Sequence, residues 1–433
     1  GLVCMRCVNI DWLEVYCEES NDEYPCNADY FTRRGYVVRE REYGTRVYEE
    51  MFFILDGNGN DMFEIRRNPK SGDSSFVGLS PQSTHIRLCN WVCYQSNCVQ
   101  LLRDFLVRHN YIFHRIYRID VCYDFERFDS GDKPERVARR IVEKTYLKMN
   151  QTKIHAIGDD NWGGYAWETL SWGSLTSMVS TKLYNKTKEL AATGNKKPYI
   201  LTQWMMAGLI DNPVTQVKYG KDGSQYKPDI WRVEFSIKSK ADSWLILEDI
   251  SGKRVKKKAV PHSLSLFDSQ DKLWQRFQDL AYHYFRFKVK TYKKQKRGVA
   301  GFALGQIESN HDPELQRKDR MPEKVLFHYD QDREFMHIQN VPKPSKPYHD
   351  GEVLRRRLIN YAATHPDHKI REACKVLVDS IDVRDIYRYT DSFDIWQVKA
   401  LQGAIQLKMG GDERSTLEII AQLEELIKKG EIW

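Results

Sequence analysis

The segment Arg118-Ile-Asp-Val-Cys-Tyr-Asp-Phe-Glu126 constrains this chain more than any other, because it places ionised groups inside an apolar run of strand-forming residues. Side chains alternate along a strand, so Arg118, Asp120, Cys122 and Asp124 share one face and Ile119, Val121 and Tyr123 the other. In a regular strand the two carboxylates stand about 13 to 14 Å apart, too far to share one ion unless the strand bulges. Asp120, deeper in the apolar run, is therefore the better metal-ligand candidate. Asp124 is expected to support it or to sit at the strand end. The alternative is that either acid simply pairs with Arg115 or Arg118.

A second segment, Trp231-Arg-Val-Glu-Phe-Ser-Ile-Lys238, repeats the pattern. Trp231, Val233, Phe235 and Ile237 face a core, while Arg232, Glu234, Ser236 and Lys238 share the opposite face. A carboxylate among β formers is costly to bury unless a charged partner or a metal compensates it, so Asp120 and Glu234 are expected to meet across adjacent strands. Oxygen ligands of this kind suit Mg²⁺ or Mn²⁺ better than zinc. In Ser180-Thr-Lys-Leu-Tyr-Asn-Lys-Thr-Lys-Glu189, a strand through Lys186 places Lys182, Tyr184 and Lys186 on one face. A phenol ionises near pH 10, and positive charge beside it favours the phenolate. One Tyr among 24 is ordinarily a packing residue.

The rest of the chain supplies the setting. Its 433 residues suffice for several domains, and an apolar fraction of 41% permits a sizeable core. The first 70 or so residues read as β-rich, with a hairpin at Asp56-Gly-Asn-Gly59. Helices are expected over 97–109, from Pro134 to about Met149, and through Leu273, Phe277, Leu280 and Tyr284. Beyond about residue 350 the chain reads as helical, with a capping box at Ser415-Thr-Leu-Glu418 and one face formed by Leu417, Ile420, Leu423 and Ile427. Residues 342–347 read as an extended linker. The resulting picture is an α+β body over 1–245, a basic helical extension and linker over 246–345, and a helical C-terminal domain over 346–433.

Nine cysteines, an odd number, suggest reduced buried thiols and a cytoplasmic protein, and no apolar run is long enough for a membrane helix. Cys4-x-x-Cys7 has zinc-like spacing, but a strand after it scatters the thiols. His365-Pro-Asp-His368 reads better as a helix-start loop than as a metal pair. The net charge of +7 is concentrated. Lys253, Arg254, Lys256, Lys257 and Lys258 form one cluster. Arg286 to Arg297, including Lys293, Lys294 and Lys296, form another, interleaved with aromatic residues. Basic charge attracts phosphate and aromatic faces accept stacked bases, so the partner expected is nucleic acid. The alternative is a solvated helix face.

Taken together, Arg118 to Glu126, Trp172-Gly-Ser174 with Ser177 and Tyr184-Asn-Lys-Thr-Lys-Glu189, and Trp231-Arg-Val-Glu234 resemble in order and spacing the rolling-circle replication initiators of the replication initiation factor family, which includes plasmid Rep proteins and conjugative relaxases. The opening Val8-Asn-Ile-Asp-Trp-Leu-Glu14 is similar to that family's first strand. The resemblance covers about residues 8 to 240 and weakly reaches about 300. It implies an antiparallel-sheet nuclease core flanked by helices, without the paired-histidine metal site of other tyrosine endonucleases. It further implies that Tyr184 attacks a DNA phosphodiester, keeps the 5′ phosphate and frees a 3′ hydroxyl. Asp120 and Glu234, with Asp124, would then lie near Mg²⁺ or Mn²⁺, and Lys186 would assist; Lys182 and Arg232, with the basic Lys293, Lys294 and Lys296, are the residues expected to contact DNA. Origin DNA, a separate helicase, a polymerase and a homodimer are the partners implied. No phosphate-binding loop is present, because neither Gly220-Lys221 nor Gly252-Lys253 continues into Ser or Thr. A water-activating nuclease and a non-catalytic DNA-binding factor are the rival readings.

Overall fold

A computed structural model of the chain describes residues 6–20, 25–70, 80–151, 153–161, 164–174, 176–194, 196–250, 253–290, 321–330, 334–340, 400, 403–404, 407 and 413–429. Lys293, Lys294, Lys296, Cys4, His365, His368 and the 342–347 linker lie outside them. Two compact units are formed, and neither is continuous in sequence. The first comprises Gly1–Val15, Arg87–Val107 and Arg115–Val341, and the second Tyr16–Ile86, Arg108–His114 and Pro342–Trp433.

The first unit is α+β, and its main sheet runs outward from Tyr111–Phe125 through Trp231–Lys238, Val179–Asn185 and Gly164–Trp172 to Ile154–Asn161, each pair antiparallel. The alternation in the sequence becomes two different faces. Val121, Phe235, Ile237, Leu183 and Trp172 are fully buried on one of them. The helix Gln270–Tyr284 packs there with Leu273, Phe277, Leu280 and Tyr284 buried, and the Phe277 ring lies 5.1 Å from Tyr123 and 5.5 Å from Phe235. A stripe at spacings of 4, 3 and 4 covers the dry side of a sheet, leaving the charged side for chemistry. A second sheet pairs Ala241–Ile250 with Lys253–Pro261 and with Met336–Asn340. The first basic cluster therefore begins a strand rather than a helix, and Lys258 in it is exposed.

In the second unit the Asp56–Gly59 hairpin joins Tyr48–Leu55 to Asp61–Pro69 in antiparallel register. Asp56 Oδ1 accepts the backbone N–H groups of Asn58 and Asn60 at 2.9 and 2.8 Å, and Gly59 has φ +82°. The Ser415 capping box opens the helix Thr416–Lys428, in which Ile419 and Leu423 bury against Ala400 and Ala404 with Ile420 and Ile427 packed beside them. The seven described cysteines are buried and none of them is in a disulfide. Among the described residues no helix is long and apolar enough to cross a membrane.

Two boundaries differ from expectation, each for a local reason. The helix from Pro134 stops at Val142, because Lys144 adopts φ +58° and Tyr146–Lys148 then pairs with Phe287–Val289. The Tyr184 strand ends at Asn185, whose side chain accepts the Lys188 N–H at 3.0 Å and starts the helix Lys186–Ala192. Asn185 also donates to Asp229 Oδ1 at 2.7 Å. Replacing Asn185 by Ala should cost about 1 kcal/mol, read as a lowered denaturation midpoint. A loss within error would show that packing alone sets this boundary.

Candidate active site

Register brings the three motifs onto one face of the first unit's sheet. Trp231–Lys238 pairs with Tyr111–Phe125 so that Arg232, Glu234, Ser236 and Lys238 stand opposite Asp124, Cys122, Asp120 and Arg118. Its other edge sets Lys182 opposite Glu234 and Tyr184 opposite Arg232. Directly opposed residues share a face, and diagonal neighbours lie about 7 to 8 Å apart, within reach of aromatic and long side chains. Tyr184, Glu234 and Asp120 are successive diagonals.

The diagonal is used. Tyr184 donates its phenolic proton to Glu234 Oε2 at 2.9 Å, and Lys182 Nζ lies 3.6 Å from Oε1. Tyr184 is half-buried, the Lys182 side chain is 44% exposed and Glu234 only 6%, so a cation at the surface accompanies a largely buried carboxylate. Burial, then the charges of Asp120 and Asp11, raise Glu234 above the ordinary carboxylate range. Asp120 is raised too, by burial, although Arg118 chelates it through Nε at 3.0 Å and Nη2 at 2.6 Å. The same guanidinium lies 4.5 Å over the Trp12 ring, with Arg87 4.4 Å from that ring. The pairing with Arg118 foreseen as an alternative for Asp120 thus forms, and burial keeps both acids raised in spite of their cationic neighbours.

The phenol behaves otherwise than its lysine neighbours suggested. Burial and the Glu234 charge push Tyr184 well above its ordinary value, so the group is a protonated donor aimed at a base rather than a phenolate. Lys186 is not on the strand face. It opens the following helix, is buried to 1%, and pairs with Glu189 at 2.5 Å, with Nζ 5.5 Å from the centre of the Tyr184 ring. Burial and Arg232 lower its pKa.

Asp124 and Arg232 require correction. Both side chains are 0% exposed and they pair through Arg232 Nε to Asp124 Oδ1 at 2.5 Å and Nη2 to Oδ2 at 2.8 Å. Trp204 Nε1 donates to the same carboxylate at 2.7 Å. With both oxygens occupied by buried donors, Asp124 is an anchor for Arg232 and not a metal ligand, and Arg232 is sealed from DNA. Arg232 Nη1 reaches Asp11 Oδ1 at 2.9 Å, the Tyr94 hydroxyl also donates to Asp11, and Tyr94 accepts Arg232 Nη2 at 3.0 Å. Although burial opposes it, Arg232, then Lys186, hold Asp11 below its usual range.

Asp11 and Tyr94 were not foreseen as site residues. Asp11 lies in the opening strand motif, which was its signal; nothing local distinguished Tyr94. The turn into the Tyr184 strand needs its glycine: Gly173 has φ +90°, and a Cβ there would stand 3.0 Å from the Val179 carbonyl oxygen.

The donor set can be tested against a divalent cation. Among the described residues no group of three or more His, Cys, Asp or Glu side chains is placed to hold one. Mg²⁺, however, is commonly held by one or two carboxylates, with waters and substrate phosphate oxygens completing the shell. Asp120 and Glu234 are hard oxygen donors on one face that suit such a shell, provided that Arg118, whose side chain is one-third exposed and which holds both Asp120 oxygens, yields one of them to the cation.

No protein-family model matches the chain, and no curated protein does. Among solved structures it is similar to the rolling circle replication initiator protein from Geobacillus stearothermophilus, at 12% identity over 74% of this chain and 92% of that one, with a TM-score of 0.38.

Proposed function

We propose that the protein is a tyrosine DNA nicking and religating enzyme, and that Glu234 is the proton acceptor for Tyr184. The 2.9 Å hydrogen bond from the Tyr184 phenol to Glu234 carries this reading, since a nucleophile within hydrogen-bond reach of a carboxylate is the arrangement that covalent catalysis requires. Attack forms a Tyr184 Oη–phosphorus bond as the phosphorus–O3′ bond breaks. The phenolic proton passes to Glu234, and the departing 3′ oxygen takes a proton from solvent. Religation reverses each step. Lys182, exposed beside the pair, would contact the phosphate. Asp120 and Glu234 would hold Mg²⁺ or Mn²⁺, which when bound would polarise the scissile phosphate. The freed 3′ hydroxyl would serve a polymerase, and a separate helicase would unwind the duplex, in rolling-circle replication or conjugative transfer.

The test is incubation with a random pool of single-stranded DNA and Mn²⁺. An adduct that survives SDS, with the nucleotide on the peptide containing Tyr184, is the expected result. Cleavage without an adduct would instead assign the carboxylates to water activation, and activity indifferent to EDTA would leave a DNA-binding factor.

Two further outcomes follow from the raised carboxylates. Nicking should fail as pH falls and Glu234 takes up a proton, because the protonated acid can neither accept the Tyr184 proton nor help to hold a cation. Glu234→Gln should slow adduct formation by about 10²- to 10⁴-fold and remove that acid limb from the rate profile. Stability has the same origin. A carboxylate raised on folding favours the folded state below its unfolded pKa, and this contribution is lost as pH rises through the folded value. At neutral pH the pair therefore opposes folding, and a bound cation would relieve it. Mn²⁺ at a hundredfold excess over its Kd should raise stability by about 2.7 kcal/mol, read by thermal melting, and Asp120→Asn with Glu234→Gln should abolish the rise.

A further inference from the structure

The second unit holds a cleft of about 460 Å³ lined by Arg34, Gly35, Tyr36, Arg108 and His109. Among the described residues no carboxylate lines it. Its floor is His109, buried to 3%, with Nδ1 3.1 Å from the Tyr30 hydroxyl and Nε2 3.0 Å from the Tyr36 hydroxyl. A neutral imidazole offers one donor and one acceptor, so the two phenols can satisfy it completely. Burial, then the charges of Arg108 and Arg34, push its pKa down to about 4. The floor is accordingly neutral and fixed at physiological pH. Arg34, Gly35 and Arg108 form an exposed rim. The Arg34 guanidinium is held 3.6 Å over the Tyr30 ring and donates to the Tyr30 carbonyl at 3.3 Å. Gly35, at φ +83°, contributes backbone without a side chain.

We infer that this cleft binds the phosphate backbone of single-stranded nucleic acid, at a site separate from the Tyr184 centre. Guanidinium forks match phosphate oxygens in geometry as well as charge, and one arginine here is pre-oriented by an aromatic face. Small-molecule pockets of this volume are mostly apolar with a few polar groups. This cleft differs in carrying two guanidinium groups on an exposed rim, along which a chain of phosphates can pass while Tyr36 lies beside the bases. The inference concerns binding alone and is independent of the nicking chemistry.

Both arginines also end helices, Ala28–Arg33 being followed by Arg34 as its cap and Cys98–Arg108 closing on Arg108. Cations there complement the helix dipole, which gives the alternative explanation of their presence. The experiment separates the two. Binding of labelled oligo-dT to the full chain is measured against salt concentration in the Tyr184→Phe background, so that no covalent adduct contributes. Arg34→Gln with Arg108→Gln should flatten the slope of log affinity against log salt by about 1.4, about 0.7 per phosphate contact on a single strand. Arg33→Gln is the control, because Arg33 is exposed, pairs with Asp29 at 2.6 Å and does not line the cleft; its slope should match the parent. An unchanged slope in the double variant with a lowered melting temperature would assign the arginines to helix ends and overturn the inference. An Arg33→Gln effect equal to half that of the pair would reduce it to bulk charge and overturn it equally. Arg34→Lys with Arg108→Lys keeps the charge and restores part of the slope if the phosphates are bound here.

Discussion

Tyr184→Phe should yield no protein–DNA adduct at any pH or metal concentration, while the protein remains folded. The two parts of this expectation have different sources. Phenylalanine offers no oxygen to phosphorus, so the loss is complete rather than partial if Tyr184 is the nucleophile. Folding survives because the hydroxyl's hydrogen bond runs to Glu234, which has Lys182 3.6 Å from its other oxygen. The net worth of such a bond to a charged group is about 1.5 to 3 kcal/mol, and removing the phenol also removes one of the groups that burial penalises. The measurement is an SDS gel beside a melting curve. An adduct that persists in Tyr184→Phe places the nucleophile elsewhere; cleavage that persists without one leaves the water-activating nuclease.

The largest expected stability effect belongs to Arg232. Arg232→Met removes the partner of Asp124, a carboxylate with no exposure, and of Asp11. Deleting one side of a buried pair leaves an uncompensated charge and typically costs about 3 to 5 kcal/mol, far more than the pair contributes over a well-packed apolar replacement. Urea denaturation should show a midpoint lowered accordingly. Arg232→Met combined with Asp124→Leu should recover part of the loss, because no charge is then stranded at that position. A single variant as stable as the parent would mean that the pair is solvated and Asp124 is open to other roles. In the parent, Asp11 contributes in the usual carboxylate sense. Its lowered pKa favours the folded state above the unfolded pKa, and that support is lost as pH falls through the folded value.

Much of the candidate site was legible because strand alternation is a property of the backbone. The assignment of Arg118, Asp120, Cys122 and Asp124 to one face, and of Arg232, Glu234, Ser236 and Lys238 to another, needed only a period of two, and the register joins those faces. The buried stripe of the Leu273 helix and the Asp56 hairpin were legible for the same kind of reason. Lys186 was misplaced by one residue at a boundary, although Asn185 was a visible cap. Asp124 and Arg232 were misread because their roles depend on which strand lies opposite. Once Arg232 stands across from Asp124, and Trp204 closes over the pair, a candidate ligand and a candidate DNA contact become a sealed ion pair.

The amino-acid order alone determined the local matters: where strands alternate, where glycine permits a turn, where Ser415 and Asn185 begin helices, and which residues can carry charge on a common face. These depend on dihedral preferences and short-range hydrogen bonds, which neighbours in sequence settle. Tertiary structure alone decided which charges neutralise one another, that the Tyr184 phenol stays protonated against Glu234, and that Asp11 and Tyr94 join Arg232. Those outcomes turn on strand register and on loss of water around each group, and both are set by segments as much as 221 residues apart.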